Sequence, residues 1–380
     1  MSSFDDTVTS LAMSNNGAIT GTGKLTAATY TLSGGTVSAN LGAGTMTVTN
    51  GAVTLNGTAD ATTVNVNTDG TLTLGANDRI INTAALVVDG GTFDMGVNNE
   101  TVSSVALKGA GTLQSSSTAN VLVSSNTYDM QSGNVTARLG GATVDVGLNK
   151  TTTGTVTLSA SNTYVGATAI SEGVLRIAHN NALGTTQNDT TVFTGAALEM
   201  SGGITVSTDE ALSLSGDGVS SGGALRNVSG DNTYGGAITM AAGSRINSDA
   251  GTLTIGGNIG GAGMSLSVGG AGNTVITRAI ATSGGTFTKD GSGTVTLSGT
   301  NTYTGATEVT AGTLLINGNN SSATGAVSVG ASATLGGSGT IGGATTVSGI
   351  LAPGNSPAVL TFTNGLTLNS SAVTIMELFG

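Results

Sequence analysis

GSGTVTLSGTNTYTGATEVTAGTLLI, residues 291–316, decides the fold. In Thr294 to Ser298, Val295 and Leu297 fall on one face of an extended strand, and the hydroxyl-bearing residues fall on the other. Gly299 to Asn301 then turn the chain, Tyr303 is placed to cap the corner with its ring, Thr307 and Val309 start the next strand, and Gly312 makes the next turn. The triplet inside this stretch recurs as Asn162-Thr163-Tyr164, Asn232-Thr233-Tyr234 and Asn301-Thr302-Tyr303, at intervals of 70 and 69 residues. With Asn126-Thr127-Tyr128 these triplets hold four of the five tyrosines, so the spacing marks a repeat architecture.

A finer period lies inside the long one. NGAVTLNG, DGTLTLGAN and GGTFDMGVN align on Gly51, Gly70 and Gly91, spaced 19 and 21 apart, and Gly305, Gly325 and Gly343 are spaced 20 and 18 apart. The same alternation places Val53 with Leu55, Leu72 with Leu74, and Leu253 with Ile255. A unit of roughly 20 residues cannot bury its own apolar face, so the units must stack. This predicts an all-β parallel β-helix, a solenoid with about 18–21 residues per coil and about 19 coils. A β-sandwich would alternate too but would not require self-similarity at this period. Three regions are expected: N-terminal coils over 1–150, repeat-bearing coils over 151–320, and C-terminal coils over 321–380.

Composition agrees with turns and strands. Glycine is 63 of 380 residues, proline only 2, and charged residues 8%, so neither a collagen-like chain nor the usual charged disordered chain fits. The net charge of −11, with ten Lys and Arg scattered singly, lacks the basic footprint of nucleic-acid binding. Cysteine is absent, which excludes disulfides and thiolate metal sites. The N-terminus carries Asp5 and Asp6 where a signal peptide needs positive charge, and the chain stops at Met376 to Gly380 directly after a strand-like Ala372 to Ile375. The chain is read either as cytosolic or as a piece of something longer, and the C-terminal end, truncated between coils, favours the second.

The stretch 291–316 resembles the autotransporter-associated β-strand repeat of type V secretion passengers, which are pectin-lyase-like β-helices. Residues 154–177, GTVTLSASNTYVGATAISEGVLRI, resemble it as well, and 223–246, GALRNVSGDNTYGGAITMAAGSRI, keep the triplet but replace the Thr-Val-Thr-Leu strand with Arg226-Asn227-Val228-Ser229. ILAPGNSP at 350–357 is similar to a motif near the end of such passengers. The resemblance implies a right-handed β-helical stalk, exported to the cell surface or secreted, with a C-terminal translocation barrel as partner elsewhere in the full-length protein. It implies no catalytic residue, cofactor or metal. The residues it marks are structural: Asn162, Thr163, Tyr164 and Gly166; Asn232, Thr233, Tyr234 and Gly236; Asn301, Thr302, Tyr303 and Gly305.

Parallel β-helices also carry polysaccharide lyases and glycosidases, whose sites need clustered carboxylates. Asp5-Asp6 sits in a terminus, and Asp209-Glu210, with Glu199 nearby, reads as a solvated turn whose adjacent side chains point apart. Asp69, Asp89 and Asp94 could align across two coils as a calcium or catalytic ladder. His179, the only histidine, reads as part of a His179-Asn180-Asn181 loop and leaves no triad or histidine-pair metal site. GGAGNTVIT at 269–277 begins like a calcium nonapeptide, but Thr274 stands where the aspartate belongs. Thr-x-Thr pairs such as Thr45/Thr47, Thr71/Thr73 and Thr294/Thr296 suggest an ice-binding-like face, against the plainer reading of threonine as a good outward strand residue. The expected function is a structural passenger or stalk with an adhesive or presenting role and no enzymatic activity; a β-helical polysaccharide-active enzyme is the competing class.

Overall fold

Strict alternation gives each strand one apolar edge, and stacking equivalent strands is how those edges leave water. The computed structural model describes residues 5–354 and 359–376; residues 355–357 of the ILAPGNSP motif and 377–380 at the chain end lie outside the described residues. Two compact units are formed, Met1–Asn188 and Asp189–Gly380, and each is an all-β parallel solenoid. The coils average about 21 residues and number about 17, fewer than the length suggests because some coils carry excursions.

In the first unit, Gly70–Leu74 lies parallel on Gly51–Leu55, with Leu72 beside Val53 and Leu74 beside Leu55. Phe93 then lies over Leu72, and Leu113 over Phe93, which extends one apolar ladder. In the second unit Ile255, Ile276, Leu297 and Ile316 stack in the same way. All of these side chains are buried. Each contributes about 1.5–3 kcal/mol of transfer free energy, so a single coil gains most of its stability from its neighbours.

Coil length is not uniform. Met46 lies opposite Tyr30, sixteen positions on, whereas Leu225 lies opposite Leu198, twenty-seven positions on. The longer coil carries the 216–223 excursion, in which Gly216, Gly218, Ser220, Ser221 and Gly223 all have positive φ. Its 3₁₀ turn, Val219–Ser221, is the only helical element among the described residues.

Candidate functional site

Three of the four Asn-Thr-Tyr triplets bury their asparagine at a coil corner, and Asn126 of the fourth is exposed. Asn301 Oδ1 accepts the Ile280 N–H at 2.7 Å, and its Nδ2 donates to Asn320 Oδ1 at 2.8 Å. Asn162 Oδ1 accepts the Leu139 N–H at 2.9 Å, and its Nδ2 donates to the Ala182 carbonyl at 2.7 Å. Each side chain therefore ties the coil before it to the coil after it. Asn232 reaches back to the Ile204 N–H at 2.7 Å, but its Nδ2 stays within its own coil, on Ser229 O and Asn227 Oδ1.

The tyrosines follow the same division. The hydroxyls of Tyr164 and Tyr303 each meet a threonine four residues on, Thr168 and Thr307, at 2.8 Å. Ile238 takes that place after Tyr234, whose hydroxyl donates instead to the Glu210 carbonyl at 3.1 Å. The rings are buried, and burial pushes the Tyr303 phenol up to about 12 and that of Tyr234 well above the usual range. Thr163 is half-buried and Thr302 exposed. A Cβ on Gly166, Gly236 or Gly305 would stand 2.6, 1.7 or 2.3 Å from a carbonyl oxygen of the preceding coil, so only glycine lets the corners stack this closely.

Two lysines absent from the sequence reading complete the corner. Lys150 and Lys289 have fully buried side chains. The Lys289 ammonium donates to the carbonyls of Asp290, Gly291 and Ala311 at 2.7, 2.8 and 3.0 Å. Lys150 donates to Thr152 O and, at 3.0 Å, to Glu172 O. Each cation thus fastens its own turn to the turn of the next coil, and burial lowers both ammonium groups to about 8. Glu100 does the work of the corner asparagine with a carboxylate. It is fully buried and accepts the N–H groups of Arg79 at 2.9 Å, Ile80 at 3.2 Å and Thr101 at 3.1 Å. Burial nonetheless outweighs those bonds and raises it to about 7.

The acidic candidates take different places in the fold. The solvated-turn reading of Asp209-Glu210 holds for exposed Asp209 only: Glu210 is 3% exposed, because it shares strand parity with inward Leu212 and Leu214. Glu199 is also buried and pairs with Arg226 at 3.1 Å, and Arg226 pairs with Asp249 at 2.6 Å. A second fork joins Arg245 to Asp290 at 2.6 and 2.7 Å across the intervening coil, passing where Gly269 has no side chain. Asp89 faces Lys108 at 3.4 Å, Asp94 caps the Gly96 N–H at 2.8 Å, and Asp69 sits at a turn with φ of 64°. Asp5 accepts the Lys24 N–H at 2.7 Å. His179 lies in a turn, where Nδ1 accepts the Asn181 N–H at 3.1 Å. Among the described residues no three His, Cys, Asp or Glu side chains are placed to hold a metal ion. The threonine faces are mixed in register: Thr45 and Thr47 lie beside Thr63 and Asn65, and Thr71 and Thr73 beside Thr92 and Asp94.

Residues 148–177 and 287–316 match the passenger-associated-transport-repeat family. The two segments align in sequence without a gap, so Lys150 corresponds to Lys289, Asn162 to Asn301, Tyr164 to Tyr303 and Thr168 to Thr307. Residues 223–246 lie outside both matches. No curated protein and no solved structure matches the chain. Two such repeats on parallel solenoids are consistent with an autotransporter passenger repeat protein, and they fit a passenger stalk.

Proposed function

We propose that this chain is the stalk of a secreted or surface-anchored bacterial passenger, holding or presenting an adhesive surface outside the cell. The observation that carries the reading is the pair of gap-free repeats, each with the same buried lysine, asparagine and tyrosine at its corner. The asparagines and lysines are engaged in coil-to-coil bonds and the tyrosine hydroxyls in bonds to a threonine of their own corner, which suits a scaffold. The corner residues are structural in this reading, and a translocation barrel in the full-length protein is the expected partner.

The test is display. The chain is placed between a signal peptide and a translocation barrel in a bacterial host, and intact cells are probed with protease and with an antibody to an inserted tag. Surface exposure, with binding of the cells to host-cell or matrix-coated surfaces, is the expected result. Retention inside the outer membrane would refute the passenger reading, and display without binding would refute adhesion alone.

A further inference from the structure

We infer that Glu210 is a protonation-controlled latch on the first coil of the second unit, closed while its carboxyl is neutral and released when it ionises. The carboxyl is 3% exposed, and its Oε1 lies 2.8 Å from the Thr190 hydroxyl, which is itself fully buried. Thr190 opens the strand Thr190–Val192, which lies parallel on Leu212–Gly216 and donates its own N–H to the Ala211 carbonyl at 3.0 Å. The Glu210–Thr190 bond therefore fastens the first strand of the unit to the coil that follows. The adjoining residues 186–189 are exposed.

The surroundings make the ionised form costly. Asp189 and the phenol of Tyr234 face the carboxyl, Asp209 beside it is exposed, and among the described residues no lysine or arginine pairs with it. The other buried carboxylates are better provided for: Arg226 holds Glu199, and three N–H groups hold Glu100. Glu210 has one hydroxyl: Thr190 donates to its Oε1, which favours the anion, but this single neutral donor does not offset the burial of the charge. Burial raises the carboxyl from 4.5 to about 7. A carboxyl that shifts this far between closed and open forms increases the opening equilibrium about 30-fold from pH 5.5 to pH 8.5.

Hydrogen exchange of the Thr190 amide, corrected for intrinsic rate, reads the latch directly. The wild-type chain is expected to lose about 30-fold protection there between pH 5.5 and 8.5, while the Ile276 amide elsewhere in the unit stays unchanged. Glu210→Gln should remain protected at both pH values. Thr190→Val should exchange faster at pH 5.5 but keep the pH dependence. A wild-type profile without that change, the same profile in Glu210→Gln, or an equal change at Ile276 would each overturn the latch, as would full protection at pH 5.5 in Thr190→Val.

Discussion

Replacing Asn301 by alanine tests whether the corner asparagine holds coils together. The substitution removes the acceptor of the Ile280 N–H and the donor to Asn320 Oδ1, both inside a buried corner. A buried polar group left without a partner costs about 1–3 kcal/mol. Two such groups give an expected loss of about 2–6 kcal/mol, reduced if a water enters the space. Denaturant unfolding of the second unit measures the loss, and exchange of the Ile280 amide localises it. Two controls sharpen the result. Thr302→Ala alters an exposed side chain and should stay within about 0.5 kcal/mol of wild type. Asn126→Ala changes the same triplet where the asparagine is exposed and donates to Ser103 O at 2.8 Å, so it should cost less than about 1 kcal/mol. If Asn301→Ala and Asn126→Ala were equally mild, with the Ile280 amide unchanged, burial of the triplet would not be what stabilises the corner.

Stability should pass through a trough rather than a peak near neutrality. Glu100 and Glu210, raised to about 7, contribute stability that is complete below 4.5 and lost as pH rises through 7. Lys150 and Lys289, lowered to about 8, contribute stability that is complete above 10.5 and lost as pH falls through 8. Thermal unfolding between pH 5 and pH 9.5 should therefore give the lowest midpoint at about pH 7–8, and a maximum there would contradict the assignment. Thr274 is 1% exposed, and its hydroxyl has no hydrogen-bond partner. Thr274→Val is expected to raise stability by about 1–2 kcal/mol, and a lower denaturation midpoint would count against it. Gly312 has φ of 65°, and a Cβ there would stand 2.7 Å from Lys289 Nζ and 2.5 Å from Gly291 O. Gly312→Ala should cost at least about 2 kcal/mol in denaturant unfolding, and a neutral result would show that the turn can relax.

The ladders were legible because alternation and a period near 20 residues are local properties of the sequence: Val295 and Leu297 point inward as their parity requires. Lys289 was not, because lysine is ordinarily a surface residue and its partners lie on the carbonyls of two different coils. A signal for it was present. The copies as read began at residues 154 and 291, whereas the matched segments begin at 148 and 287 and bring the two lysines into line. Glu210 carried a signal too, since it has the parity of Leu212 and Leu214. Adjacent carboxylates on a solenoid strand point apart, but one of the two directions is the interior, and Glu210 takes it. The ion pair of Arg226 with Glu199 depends on a 27-residue step at Leu198 and Leu225, which no fixed period anticipates.

The corner asparagines Asn162 and Asn301 reach one coil back and one coil forward. Within a unit, the chain therefore has a natural quantum of length. Excising one whole coil near a repeat returns each inward-facing strand residue to an apolar ladder, whereas excising half a coil turns the apolar face outward and severs the corner bonds it crosses. Lengthening and shortening by whole coils is thus a small step for this fold, and a frame error of a few residues is a large one.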